Sequence, residues 1–245
     1  DVVVEQLHIE EPEPPAPVTE PEKTFEEVLD EHPVSIQVNG QWQTFPNAKA
    51  AEEASYEEYK ANLRRNAKNF RITDEHLGEG GPKAKFQANV NAIRLLKELE
   101  AAGQQASPEQ QEVLSRYVGW GGLSDAFDPE KPAWALEYAQ LKELLTPEEY
   151  AAARSSTLNA HYTSPTVIQA IYEAVGRMGF ETGNILEPSM GVGNFFGMLP
   201  EKMRNSRLYG VELDSISGRI AKQLYPKADI TVGGFETTDR RDFFD

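Results

Sequence analysis

Apolar and polar positions follow three rhythms along this chain. Val34-Ser-Ile-Gln-Val38 and Gln41-Trp-Gln-Thr-Phe45 alternate strictly around Asn39-Gly40, a pair that readily takes the positive φ angles of a tight turn, so a β-hairpin is predicted over 34–47. A lone hairpin is marginal in water, and Trp42 is the expected docking residue. From 48 to 156 the rhythm is helical. Ala48 to Ala67 forms one run, and Phe86, Val90, Ile93, Leu96 and Leu99 mark one face of another that ends at Gly103. Ser107-Pro-Glu-Gln110 and Thr146-Pro-Glu-Glu149 are both capping boxes with proline at the first helical position, so two further helices start there. From 157 onward, helices alternate with short apolar strands. A helix is predicted from Pro165 to about Gly179, with Val167, Ile168, Ile171 and Val175 on the face toward a sheet. Strands are predicted at Ile185-Leu186, Arg207–Leu213 and Asp229–Val232.

That succession predicts an α/β fold: a parallel, doubly wound sheet preceded by a mainly helical region and a β-hairpin. The sheet is expected to be partial, since the chain stops at Phe243-Phe244-Asp245, where a fourth strand should begin. The expected division is an acidic proline-rich linker over 1–33, the hairpin over 34–47, the helical region over 48–156 and the strand-containing domain over 157–245. A ligand would sit at the carboxyl ends of the strands.

The stretch Asn184-Ile-Leu-Glu-Pro-Ser-Met-Gly-Val-Gly-Asn-Phe-Phe196 is the strongest chemical signal. A strand runs into Glu187, then a turn carrying Gly191 and Gly193, then a helix expected from Asn194. Glycines let the backbone pass close under a ligand, and the new helix would aim unpaired N–H groups at it. Glu212 follows Gly193 at the tip of the next strand, where a carboxylate can accept hydrogen bonds from both hydroxyls of a ribose. Phe235, after the third strand, could lie against an adenine. Upstream, Ser164 is the expected N-cap of the helix beginning at Pro165.

Tyr162-Thr-Ser-Pro165, Leu186-Glu-Pro-Ser-Met-Gly-Val-Gly-Asn-Phe195 and Val211-Glu-Leu-Asp214 resemble, in this order, the cofactor motifs of S-adenosylmethionine-dependent adenine-N6 DNA methyltransferases. More narrowly, together with Arg71-Ile-Thr-Asp74, Leu77-Gly-Glu-Gly-Gly-Pro-Lys83 and Arg116-Tyr-Val-Gly-Trp-Gly-Gly122, they resemble the N-terminal methylase region of large methylase–helicase proteins of bacterial mobile elements, over roughly residues 69–245. The resemblance implies a Rossmann-like methyltransferase domain, S-adenosylmethionine as cofactor and DNA as partner, beside downstream catalytic and helicase-like regions of the same polypeptide. It implies that Tyr162, Thr163 and the backbone at Ser164 face the methionine end of the cofactor. Glu187, Pro188, the Gly191 to Gly193 turn and Asn194 would surround its amino acid and sulfonium. Glu212 would hold the ribose, with Leu213 and Phe235 beside the adenine. Gly234 stands where the family often has an acid. No Asn/Asp-Pro-Pro-aromatic or Asn-x-Pro-Phe tetrapeptide, which carries the family's catalysis, occurs in the chain, so this piece is expected to lack methylating activity.

Charge changes the picture once it is located. The net charge is −16, but residues 1–60 hold 15 acids against 3 basic residues, so most of the acidity belongs to the leader. Between 64 and 97, eight basic residues meet three acids before Glu98. Arg64, Arg65, Lys68, Arg71, Lys83 and Lys85 are the candidates for contacts to a DNA backbone, against the alternative of a solvated helix face. Leu77 to Lys83 lacks the Gly-x4-Gly-Lys-Ser/Thr spacing of a phosphate loop. Trp120 is expected to anchor helices rather than to stack on a base. With no cysteine, disulfides and thiolate metal sites are excluded, and the four histidines have no ligand spacing. No metal and no membrane span are expected, and the expected compartment is the cytoplasm. Two other functions fit the same stretch. A dinucleotide oxidoreductase would need Gly-x-Gly-x-x-Gly, but Phe196 occupies the third glycine's place. The other is a non-enzymatic DNA-binding or anti-restriction module that keeps the fold without the chemistry.

Overall fold

A computed structural model describes residues 33–74, 76–158, 160 and 162–245, with the side chains of residues 59–66 set aside. The segment expected to be a linker falls outside these residues up to position 32, as do the side chains of Arg64 and Arg65. The protein is mixed α/β, with a two-stranded antiparallel sheet and a three-stranded parallel sheet. It divides into two compact units at Lys60 and Ala61.

In the first unit, β1 (Val34–Val38) pairs with β2 (Gln41–Phe45); α1 (Ala48–Asn66) follows and runs past the division between the units. Asn39 and Gly40 both take positive φ, as a two-residue hairpin turn requires. The inner face carries Val34, Ile36 and Val38. Trp42 pairs with Gln37, on the opposite face, and is 72% exposed. It does not dock the hairpin, contrary to expectation, because the period of two turns it to solvent when Val38 turns in.

The second unit begins with a helical layer of α2 (Pro82–Ala101), α3 (Pro108–Ser115), α4 (Ala135–Leu144) and α5 (Pro147–Ser156). Pro82 opens α2, so the glycine-rich stretch before it ends in a helix start. Both capping boxes form: Ser107 with Gln110, and Thr146 with Glu149. Trp120 is buried against Phe86 and Phe127, an anchor between helices as expected.

Next come α6 (Pro165–Arg177), β3 (Asn184–Glu187), α7 (Asn194–Gly197), β4 (Arg207–Glu212), α8 (Ser215–Leu224) and β5 (Asp229–Val232). The parallel sheet runs β3-β4-β5, with Leu186 opposite Tyr209 and Val211 opposite Thr231. Helix α8 lies on β4 and β5, and α2 and α3 pack against it. Burying Ile216, Ile220 and Leu224 on its inner stripe contributes about 2 kcal/mol each in transfer free energy. A polar clamp ties the same elements: Arg219 on α8 bonds Glu100 on α2 and Glu149 on α5, and Glu149 also accepts from Lys97 at 2.8 Å. Burial works to raise the Glu149 carboxyl, but hydrogen bonds from Lys97, Arg219 and the Thr146 backbone hold it at about 2.

Two expectations need correction. Helix α7 is a single turn, because Gly197 packs against Ile72 and Tyr225, and Leu199-Pro200 follows. On α6, Ile168 and Tyr172 are buried, while Val167 and Ile171 are 48% and 42% exposed. The buried stripe is thus rotated from the predicted one, and Tyr172 fixes it by donating to the Phe195 carbonyl at 2.7 Å. At the outer edge of β3, the Asp245 N–H donates to the Asn184 carbonyl at 3.1 Å.

Candidate functional site

A cavity of about 510 Å³ opens at the carboxyl ends of β3 and β4. Glu187 and Glu212, the last residues of those strands, face it, as do Tyr162 and Thr163 before α6, Gly191 and Asn194 from the turn, and Leu213. Ser164 and Lys85 line an adjoining cavity of about 380 Å³ that shares Tyr162, Thr163 and Asn194 with the first. Pro188, Gly193 and Phe235 do not line the main cavity. Gly193 has φ +83 and lies under Tyr225 and Met190, so its glycine serves the turn and the packing beneath it. Phe235 sits in a short 3-10 turn and is 51% exposed. Ser164 is the N-cap residue of α6, but its side chain makes no capping hydrogen bond.

Carboxylates organise the cavity. One oxygen of Glu212 accepts from the Gly191 N–H at 2.7 Å, and the other accepts from the Asp214 N–H at 2.8 Å. Glu212 therefore fixes the glycine turn against the end of β4 and still has lone pairs for a ligand. Glu187 has an oxygen that is buried and, among the described residues, without a hydrogen-bond partner. Burial, and then the nearby Glu212, push its carboxyl up to about 8. Asp214 caps α8 and accepts from both the N–H and the hydroxyl of Ser217. Since the one Ser217 hydroxyl proton goes to Asp214, Tyr162 Oη donates to Ser217 Oγ across their 3.2 Å contact. Burial raises the Tyr162 phenol, so it stays a donor at neutral pH.

The Tyr162 ring lies between two left-handed glycines. A Cβ on Gly119 would come within 2.6 Å of it, and one on Gly191 within 3.0 Å. Asn89, fully buried on α2, holds the Gly119 turn by donating to the Gly119 carbonyl at 2.6 Å and accepting from the Val118 N–H at 2.9 Å. Gly121 leaves room for the Ala160 carbonyl. The glycines around Trp120 thus make space for the segment that carries Tyr162 to the cavity. Sequence reasoning missed this, along with Tyr117, Ser155, Ser156 and Ser217 in the lining. A spacing rule cannot join residues this far apart, though the glycines flanking Trp120 were a signal that a backbone must come close.

The basic candidates separate. Lys83 donates to the Ala133 carbonyl, pairs with Glu137 at 2.6 Å and lies 3.9 Å over the Trp134 ring. Arg71 donates to the Leu199 carbonyl at 2.5 Å. Lys68 and Arg71 line a groove away from the main cavity, whereas Lys85 lies beside it. Among the described residues, no group of three or more His, Asp or Glu is arranged to hold a metal ion, and no helix is long and apolar enough to cross a membrane.

The chain is similar to two proteins of restriction biology. Over 159 residues, 65% of its length, it is 25% identical to "Defense against restriction protein B" of Escherichia phage P1. Over 84 residues, 34% of its length, it is 36% identical to "Type II methyltransferase M.CvrRI" of Paramecium bursaria Chlorella virus XZ-6E. The matches span 6% and 21% of those two proteins' lengths. No family model and no solved structure matches the chain. One of the two names is that of a methyltransferase, and the other is that of a protein of defence against restriction.

Proposed function

We propose that this chain is the cofactor-binding portion of an S-adenosylmethionine-dependent DNA methyltransferase acting on the N6 amine of adenine, and that its three parallel strands belong to a Rossmann-like, doubly wound sheet. One observation carries the reading. Among the described residues, the cavity lining contains Glu187, Glu212 and Asp214 and no lysine or arginine, and one buried oxygen of Glu187 has no partner. Such a cavity suits a ligand with cationic and hydroxyl groups. It repels the pyrophosphate of a dinucleotide, which supports the methyl donor over NAD.

The proposed roles follow the cofactor's groups. Glu187 would face the ammonium and sulfonium end, beside Tyr162 and Thr163, and Glu212 would accept from the ribose hydroxyls while keeping the Gly191 turn in place. Leu213 would lie along the adenine. S-adenosylmethionine, when bound, supplies an electrophilic methyl group on sulfur. This chain's residues would bind and orient it, with Tyr162 and Gly191 among the residues lining the cavity. The groups that would hold a flipped target base lie on the Asn/Asp-Pro-Pro-aromatic motif, which these 245 residues do not contain. The chain alone is therefore expected to bind the cofactor without transferring the methyl group.

The test is calorimetric titration with S-adenosylmethionine and, separately, NAD, on wild type and Glu187→Gln. Binding of the methyl donor alone, weakened by the substitution, supports the reading; binding of NAD alone overturns it. A second reading draws on the name of the phage P1 relative: an anti-restriction module that binds DNA without using a methyl donor. DNA binding with no response to S-adenosylmethionine favours that reading.

A further inference from the structure

A second concavity, of about 750 Å³, lies at the other end of the parallel sheet, where β4 starts at Arg207 and β5 starts at Asp229. Its floor is apolar, built of Phe70, Phe196, Leu199 and Leu208 with Tyr209 beside them. Around it stand five cations, Lys68, Arg71, Arg204, Arg207 and Lys227, and a single acid, Asp229. That acid is already paired with Arg240 at 2.7 Å. The cations come from three separate places: the strand-like segment before α2, the approach to β4, and the α8–β5 loop.

Backbone contacts build the groove. Phe70 N–H donates to the Leu224 carbonyl at 2.8 Å, Ile72 N–H to the Gly197 carbonyl at 2.9 Å, and Lys227 N–H to the Asn69 side chain at 3.0 Å. Residues 68–72 are thereby stitched across the ends of α7 and α8, which puts Lys68 and Lys227 on one rim. Arg71 is committed to the Leu199 carbonyl and Arg204 to Glu201. Lys68, Arg207 and Lys227 are exposed, and among the described residues no ion pair or side-chain hydrogen bond engages them. Three unpaired cations beside two more, in a chain of net charge −16, form a concentrated positive field.

We propose that this groove binds the phosphodiester backbone of a nucleic acid, at a site distinct from the cofactor cavity. Phosphates spaced along a strand match several exposed cations around an open trough, and such contacts position the partner without reading its sequence. The site stands on charge and geometry alone. It can fail while the cofactor reading holds, and the reverse.

The test is fluorescence anisotropy of the whole chain with a labelled 30-base-pair duplex and with the matching single strand, from low to moderate salt. The variants are the triple Lys68→Ala/Arg207→Ala/Lys227→Ala, each single change, and Lys131→Ala, a lysine outside the groove lining that pairs with Asp125. With the duplex, the triple variant is expected to lower the slope of log affinity against log salt by about 2.7 and each single change by about 0.9, the contribution of one neutralised phosphate each; with the single strand the same changes give about 2.1 and about 0.7. Lys131→Ala leaves the slope unchanged. Thermal melting and S-adenosylmethionine titration check that the triple variant keeps its fold and its other site. Loss with both duplex and strand means the backbone alone is held, and loss with one form names that form as the ligand. Unchanged slopes, or no binding by wild type, would overturn the proposal.

Discussion

The two ends of the three-stranded sheet differ in almost every electrostatic respect. At the carboxyl ends, the described residues put three acids and no base around a cavity, and those acids are held by backbone N–H groups or buried without a partner among the described residues. At the amino ends, five cations and one neutralised acid ring an open trough. The sheet is only four to six residues deep, so one small domain keeps opposite fields apart by placing them at opposite strand ends. A whole-chain charge of −16 conceals this. Sign and place matter more than sum.

The comparison breaks most sharply at Glu212. Glu212→Ala removes the acceptor for two backbone N–H groups as well as ligand contacts, so S-adenosylmethionine affinity should fall roughly 100-fold, the cost of two charge-assisted hydrogen bonds. Duplex binding in the basic groove should be unchanged. If both fall together in a chain that still melts cooperatively, the two ends are not independent.

Glu149 sets the next effect, since the clamp from α8 to α2 and α5 underlies both ends. Glu149→Ala leaves Lys97 and Arg219 without their shared acceptor and should cost about 3 kcal/mol in chemical denaturation, as for a broken, largely buried pair. Its folded carboxyl lies below its ordinary value. The wild-type contribution is therefore full above about 4.5 and is lost as pH falls toward about 2, and the variant should lack that acid-side loss.

Glu187 sharpens the comparison through pH. Its carboxyl is raised to about 8, so below that value the free protein holds a proton there that a cationic ligand must displace. Affinity for S-adenosylmethionine should rise roughly tenfold per pH unit from about 6 to 8, with proton release visible in calorimetry across buffers of different ionisation enthalpy. Stability runs the other way. The folded state binds this proton more tightly than the unfolded state, so stability is lost as pH rises from about 4.5 through 8. Glu187→Gln should flatten both trends, weakening binding and raising the melting temperature at pH 8.5. A variant that keeps the wild-type pH slope would assign the titration to another group.

Much of this was legible in the residues. Val34-Ser-Ile-Gln-Val38, the two capping boxes and the strands around Glu187 and Glu212 announce themselves because each is a local rule: period, cap, or turn. The α6 face was misjudged because Val167 and Ile171 are as apolar as Ile168, and only the Tyr172 hydrogen bond to Phe195 chooses the rotation. Trp42 misled because aromatic size outweighed pleat parity. The basic groove was half visible, at Lys68 and Arg71. Arg207 and Lys227 reach it only through the stitching of 68–72 onto α7 and α8, which no window along the chain contains.

One ring fills the space above two glycines that belong to different halves of the second unit, Gly119 in the helical layer and Gly191 in the turn after β3. In inheritance these three positions form a single unit. A lineage that keeps the aromatic at 162 is expected to keep glycine at 119, where a Cβ would come within 2.6 Å of the ring, and to disfavour a side chain at 191, where the approach is 3.0 Å; one that replaces Tyr162 with a small residue relieves both, leaving only the left-handed backbone to favour glycine. Drift at 119, remote from the strands in sequence, is thus policed by a side chain at the edge of the cavity.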